Sequence, residues 1–200
     1  MIQGSDEWRA SRLGKITASR IADVITGTVD KRRAYMMQLV AERLTGVSHD
    51  MTRTTPEMQR GTDLEHVART LFSLKTGLTV EQTGFLIDIS MPGMGASPDG
   101  IIVQEDAVIE IKVPNSTTHL SYFLDKKLPS KYKAQVNAQL LVTGRSFAYF
   151  VSYDDRIPAH LQLLIVRVER DNDYIQIMRS KVAQFLKELD MLLETLKTGK

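Results

Sequence analysis

The order of apolar and polar positions changes period twice along the 200 residues. Over the first 77 it follows the helical repeat of 3.6. A short helix is expected around Asp6 to Leu13, and a second in "TASRIADVITG", with Thr17 as N-cap and Gly27 as stop. "DKRRAYMMQLVAERLTG" repeats that design from Asp30 to Gly46, with Tyr35, Met36, Leu39, Val40 and Leu44 at helical spacing. "TPEMQRGTDLEHVARTLFSLKTG" follows, with Thr55 as cap, Pro56 in the first turn and Gly77 as stop. Between these two helices, "VSHDMTRTT" is a polar loop of the kind that often touches ligands.

The centre of the chain alternates with period two. Strands are expected in "LTVEQTGFLIDI", "MGASPDGIIV" and "AVIEIKV". Helices follow in "SYFLDKK" and "SKYKAQVNAQLLVTG", then strands in "SFAYFVSYD" and "LQLLIVRVE". From about Asn172 to Lys197 the helical period returns, with Ile175, Met178, Val182, Phe185, Leu189, Leu192 and Leu196 on one side. That stripe is most simply the face of a helix packed on the sheet. The sum is an α/β fold, a central mixed β-sheet flanked by helices. It is read as one domain over residues 1–200: a helical part to about 77, a sheet core over about 78–170 and a C-terminal helix over about 171–198.

Composition narrows the class. With 42% apolar and 25% charged residues the chain is an ordinary globular protein, long enough to bury a core without staples. It has no cysteine, which excludes a disulfide framework and a thiolate metal site. No run approaches the ~18 apolar residues of a membrane span. The opening "MIQGSDEWRASRLGK" has no apolar h-region, so a secretory signal is not expected and the cytoplasm is the expected location. A net charge of +2 does not by itself imply nucleic acid. Arg9, Arg12, Lys15 and Arg20, "KRR" at 31–33, and Lys126, Lys127, Lys131 and Lys133 nevertheless cluster. Such clusters either follow a phosphate backbone or are solvated helix faces.

The candidate chemistry lies in "SPDGIIVQEDAVIEIK", residues 97–112. Glu110 and Lys112 alternate with Ile109, Ile111 and Val113, so both charges share one face of a strand. Asp99 comes from the strand before it. Two carboxylates converging from adjacent strands make a hard oxygen site that suits Mg²⁺ or Mn²⁺. Lys112, on the same face, is able to orient or help deprotonate an attacking water, or to offset charge on a phosphoryl transition state. This is the equipment of metal-assisted phosphodiester hydrolysis. The competing reading is an exposed hairpin whose Glu and Lys meet only water. Three further features bear on the choice. Glu65 follows Gly61 by four residues on a helix; Tyr132 and Gln135 share a helical face three apart; Arg12 and Ser19 flank a helix start at Thr17, a setting that suits a terminal phosphate.

Taken in order, "WRASRLGKITAS", "RGTDLEHVA", "GASPDGIIV", "VIEIKVP" and "YKAQVNAQLLVTG" resemble the lambda-exonuclease-type viral recombinase (phage alkaline exonuclease) family, within the PD-(D/E)xK nuclease superfamily. The resemblance runs from about Trp8 to Tyr153. It implies a restriction-endonuclease-like core and a Mg²⁺-dependent exonuclease, with Mn²⁺ as a substitute. Such an enzyme digests one strand of linear duplex DNA from its 5′ end, releasing mononucleotides and leaving a 3′ overhang for a single-strand annealing partner. A ring-shaped homotrimer is implied in the same way. By motif position the resemblance makes Asp99, Glu110 and the backbone carbonyl of Ile111 metal ligands, and sets Lys112 on the attacking water or scissile phosphate. Glu65 completes the acidic pocket, Gln135 and Tyr132 support the nucleophile side, and Arg12, Ser19 and Thr17 hold the 5′-phosphate. Met58 matches an apolar wedge at the fork, and Asp88 falls near a family aspartate. The family's further basic contact has no counterpart at Val29, where Lys31, Arg32 or Arg33 are the replacements.

Two other readings stay open. One keeps the nuclease core but makes it an endonuclease of restriction, repair or junction-resolving type, which needs no terminal-phosphate pocket. The other is a DNA-binding or assembly protein with a decayed site, against which Asp99, Glu110, Lys112 and Glu65 stand together.

Overall fold

The computed structural model describes residues 3–49 and 55–199, with Met58 described by its backbone alone. The wedge read for the Met58 side chain, and most of the polar loop at 47–55, therefore lie outside the described residues. Helix α1 (Asp6–Arg12) is capped by Ser5, whose hydroxyl accepts from the Trp8 N–H at 3.2 Å. Strand β1 (Ile16–Thr17) and a 3₁₀ turn (Ala18–Arg20) lead into α2 (Ile21–Ile25). Helix α3 (Val29–Thr45) is capped by Thr28 rather than Asp30, and α4 spans Pro56–Thr76. Gly46, Gly77 and Gly144 all take the left-handed backbone expected of helix stops. Gly27 does not. A Cβ there would meet the Asp23 carbonyl oxygen at 2.5 Å, so it is small because α2 turns back on it. The helix expected over 17–27 is also shorter than its pattern, and the Thr17 side chain makes no capping bond.

Two expected strands are each broken in two, at matching places. "LTVEQTGFLIDI" gives β2 (Val80–Glu81) and β3 (Leu86–Ile87); "MGASPDGIIV" gives β4 (Met94–Ala96) and β5 (Gly100–Ile102). Strands β1, β4 and β3 form one sheet in that order, whereas β2 and β5 join a second. The switch between sheets falls at Ser97–Pro98–Asp99. Pro98 has no N–H to donate, so a ladder cannot run through it. Because β2 pairs with β5 and β3 with β4, the break in one segment forces the break in the other.

The second sheet is the larger, with order β2-β5-β6-β7-β8. It comprises β6 (Ala107–Lys112), β7 (Phe147–Tyr153) and β8 (Leu163–Glu169) beside the two short strands. Strand β6 is antiparallel to β5 and parallel to β7, and β8 returns antiparallel to β7. A parallel pair needs a crossover. Here it is α5 (Ser116–Asp125) followed by α6 (Ser130–Thr143). The sheet is mixed and flanked by helices, as the pattern implies.

Strand β6 is buried on both faces. Ala107, Ile109 and Ile111 pack with Ala68 and Phe72 of α4, while Val108 joins the core under α6. The terminal helix α7 (Asn172–Thr198) closes that second core with Ile175, Met178, Val182, Phe185, Leu189 and Leu193. The expected stripe runs to Leu192 and Leu196; Leu192 does pack against this core, but Leu193 is the more buried and Leu196 is half exposed. A period of 3.6 drifts against a fixed spacing, so the buried edge moves by one residue at the helix end. Truncating the fully buried Phe185 to alanine should cost about 3–5 kcal/mol. Among the described residues no helix is long and apolar enough to cross a membrane.

Candidate active site

Alternation along β6 sends Glu110 and Lys112 to the face that carries Val108, toward α6, and not to water. Glu110 is 1% exposed. A carboxylate so buried requires donors, and it has three. Gln135 Nε2 donates to Oε1 at 2.5 Å, Gln139 Nε2 donates to Oε2, and Lys112 Nζ pairs with Oε1. The two glutamines come from one face of α6, four residues apart. The solvated-hairpin reading of this strand is thereby set aside.

Asp99 sits where the chain changes sheets. Its N–H still bonds the Ile109 carbonyl at 3.0 Å, continuing the β5–β6 ladder by one rung. Its Oδ2 then accepts from the Ile111 N–H at 2.6 Å. Burial, and after it the Glu110 carboxylate, push the Asp99 carboxyl well above its usual range; Lys112 opposes them and Glu65 adds to the push. Burial likewise opposes the charge on Lys112, but Glu110 and Asp99 overcome it and hold the ammonium above the usual lysine range. Lys112 is therefore a cation at neutral pH in this state, able to donate and to offset negative charge but not to accept a proton.

These groups open on one cleft of about 190 Å³. Asp99, Glu110, Lys112 and Gln135 line it together with Arg12, Thr17 and Ser19. Seven residues singled out in the sequence thus share one cavity. The Thr17 and Ser19 hydroxyls lie 3.2 Å apart, and the Thr17 N–H donates to the buried Tyr35 hydroxyl at 3.1 Å. The Arg12 guanidinium stacks over Trp8, 3.9 Å from the ring centroid, and the indole N–H donates to the Ser97 hydroxyl at 2.9 Å. Gln3 Nε2 donates to the Pro98 carbonyl at 2.9 Å. Helix α1 and the segment before it are thus tied to the Ser97–Asp99 switch.

Other expected residues stand apart from the cleft lining. Glu65, on α4, is ion-paired with Arg69. Burial lifts its carboxyl above the usual range against Arg69 and Lys112, with Glu110 adding to the rise, so it still feels the site electrostatically. Tyr132 packs against Phe150 and Tyr122, with the Lys112 ammonium 5.4 Å from its ring centroid. Asp88 holds a local turn, its Oδ1 accepting from the N–H groups of Ser90 and Met91, both at 2.8 Å. Arg32 pairs with Glu188 at 2.7 Å and pins α7, while Val29 is exposed. Trp8 and Gln139 line the cleft as well, and sequence reasoning assigns neither a role. For Gln139 a signal exists, its spacing of four from Gln135.

The donor set fits a hard divalent cation. The half-buried Asp99 and the buried Glu110 face one cleft beside Lys112, and among the described residues the buried Gln139 Oε1 has no hydrogen-bond partner. Among the described residues no three His, Cys, Asp or Glu side chains converge on a common point. Two carboxylates and a backbone carbonyl would suit Mg²⁺, which commonly keeps several of its waters.

Comparisons with known proteins agree with this geometry. Residues 7–146 match the YqaJ-like viral recombinase domain. The alkaline exonuclease LHK-Exo from Laribacter hongkongensis is 41% identical, with a TM-score of 0.91 over 98% of this chain and 97% of that one. The same figures hold for LHK-Exo solved in complex with dAMP. A phage-related exonuclease from Haemophilus somnus 129PT, 17% identical, shares the fold with a TM-score of 0.72 over 91% of this chain and 96% of that one. No curated protein matches. The mixed sheet with Asp99 and "EIK" on adjoining strands is the restriction-endonuclease-like PD-(D/E)xK core. With the domain match covering most of its length, the chain belongs to the YqaJ-like viral recombinase family.

Proposed function

We propose that the protein is a Mg²⁺-dependent exonuclease that digests one strand of linear duplex DNA from its 5′ end. The exonuclease class rests on the family and on 41% identity to an alkaline exonuclease over nearly the whole chain. The direction rests on one observation: the carboxylate–lysine group and the Arg12–Thr17–Ser19 group open on the same cleft. An anion pocket beside the carboxylates suits a terminal phosphate, and an endonuclease has no use for one.

In this reading Asp99, Glu110 and the Ile111 carbonyl hold Mg²⁺, for which Mn²⁺ substitutes. When bound, the cation supplies Lewis-acid polarisation of the scissile phosphate and eases ionisation of a water. Lys112, charged as it stands, donates to that water or to the phosphate and offsets charge gained in the transition state. Gln135 fixes Glu110 and so the ligand geometry. Glu65 on α4 adds negative charge at the edge of the site, and Tyr132 supports the Lys112 ammonium with its ring face. Arg12 donates to the 5′-phosphate, with Thr17 and Ser19 as hydroxyl donors, and Trp8 keeps the guanidinium from swinging away. Water adds to phosphorus and the bond to the 3′-oxygen breaks. A 5′-mononucleotide leaves, and the next nucleotide carries a new 5′-phosphate back to the same pocket.

The resulting 3′ overhang is a substrate for a single-strand annealing protein, in the cytoplasm of a bacterial host. A homotrimeric ring is the assembly that goes with this reading, and light scattering tests it. The main test compares linear duplex bearing a 5′-phosphate, linear duplex bearing a 5′-hydroxyl, and covalently closed circular duplex, each in Mg²⁺ and in EDTA. Expected is rapid digestion of the first, slower digestion of the second, and none of the circle or in EDTA. Rapid cutting of the closed circle would make the protein an endonuclease. Indifference to the phosphate would remove the roles given to Arg12, Thr17 and Ser19.

A further inference from the structure

We propose that Gln139 is a positioning residue for Glu110, and that it sets how tightly the cleft holds its divalent cation. The inference rests on the reading above, in which Glu110 is a cation ligand. The geometry is asymmetric. Among the described residues, Glu110 Oε1 receives two donors, Gln135 Nε2 and Lys112 Nζ, whereas Oε2 receives only Gln139 Nε2. Gln139 alone therefore restrains the second oxygen, and with it the rotation of the carboxylate plane. Glu110 and Gln139 are 1% and 0% exposed, so neither exchanges its partner freely for bulk water.

The amide orientation is forced. Turned over, the Gln139 carbonyl oxygen would meet the Glu110 carboxylate oxygen, acceptor against acceptor. With its nitrogen committed to Glu110, Gln139 Oε1 is left buried without a partner, in a side chain that lines the cleft. A core position between Val136 and Leu140, both fully buried, would be cheaper to fill with an apolar side chain than with a half-satisfied amide. The amide makes sense as part of the site. Its nitrogen aims the ligand, and its oxygen accepts from a donor that enters the cleft, such as water accompanying a hydrated cation.

The test titrates metal-free protein with Mn²⁺ by calorimetry, comparing wild type with Gln139→Met and Glu110→Gln. Thermal melts and DNA-end binding in EDTA are run in parallel. Outer-shell partners of metal ligands commonly contribute about 10–100-fold to metal affinity. Gln139→Met, similar in shape but without a donor, should weaken Mn²⁺ by about that factor and raise the Mg²⁺ midpoint of digestion to match. End binding in EDTA should not change. If Gln139→Met does not fold, Gln139→Asn, one methylene too short to reach Glu110, takes its place with the same expectation. A folded Gln139 variant with wild-type Mn²⁺ affinity overturns the inference, whatever its melting temperature. Where Glu110→Gln loses Mn²⁺ and Gln139→Met does not, the inference alone fails. Where Glu110→Gln also binds as wild type, the assignment of Glu110 as ligand fails and the inference falls with it.

Discussion

Asp99, partly buried at the cleft, and Asp154, fully buried, both lie at the ends of strands in the same sheet, and their surroundings could hardly differ more. Asp154 follows β7 directly and is fully buried. Arg60 donates to its Oδ1 at 2.9 Å; Arg156 donates to Oδ1 at 2.7 Å and to Oδ2 at 3.2 Å. Both guanidiniums also reach the Pro114 carbonyl, two residues past Lys112, and so tie the end of β6 to α4 and β7. Burial would raise the Asp154 carboxyl, but Arg156 and the Ser116 hydroxyl outweigh it and hold it at about 2. Asp99 has one backbone donor and a lysine shared with Glu110, and its carboxyl is pushed the other way. A buried charge that is fully paired is a structural joint. A half-buried carboxylate paired only in part, on a cleft, leaves room for a further partner, and a cation fits it.

The largest expected difference between the two sites is in activity. Glu110→Gln or Lys112→Ala should lower the rate of duplex digestion by about a thousandfold or more, about 4 kcal/mol of transition-state stabilisation, while the protein stays folded. Single-turnover digestion with a parallel melt checks this. Retention of activity in either variant would return "EIK" to the status of an ordinary strand.

Next in size is the stability of the joint. A fall of the Asp154 carboxyl from 3.8 to about 2 corresponds to about 2 kcal/mol of stability. The folded value lies below the unfolded one, so this contribution is present above pH ~4 and lost as pH falls through ~2. Asp154→Asn should therefore be less stable by about that amount at pH 7 in urea melts, with the gap closing under acid. Digestion per folded molecule should change little. A variant as stable as wild type at pH 7 would mean that the two arginines contribute nothing net.

Asp99→Asn should act with the opposite sign. The Asp99 carboxyl is raised in the folded state, so its ionisation costs stability as pH rises through that raised value. Removing the charge should raise the melting temperature of metal-free protein at neutral pH. Below the unfolded carboxyl range the two proteins should melt alike. The variant should also lose the stabilisation that Mg²⁺ gives wild type. A lower melting temperature for Asp99→Asn without metal would contradict the contrast.

Much of the site was legible because it depends on local periodicity. The alternation in "AVIEIKV" fixed Glu110 and Lys112 on one face, and the helix starting at Ser130 carried Gln135 to them. What periodicity could not report is which face is covered; that depends on α6 crossing back over β6, a long-range event. The splitting of 78–89 and 94–103 between two sheets was hidden for a related reason. Pro98 marks where a ladder must stop, but not that the chain resumes in another sheet. Thr17 fits the preference for an N-cap, yet its N–H is taken by Tyr35 from α3 and the turn that follows is 3₁₀. Glu65 has the helical spacing to pair with Arg69, and in this state that local ion pair takes its carboxylate. Asp154 closes the expected strand "SFAYFVSYD" and gave no sign of its role, because its partner Arg60 arrives from α4, far away in the sequence.

The most direct measurement is a carboxyl-carbon NMR titration of metal-free protein, with and without Mg²⁺. The two aspartates are assigned from Asp99→Asn and Asp154→Asn. Asp99 should titrate well above the usual aspartate range and Asp154 near 2, and Mg²⁺ should drive the Asp99 proton off while leaving Asp154 unmoved. An Asp99 that titrates in the ordinary range and does not respond to Mg²⁺ would contradict that expectation.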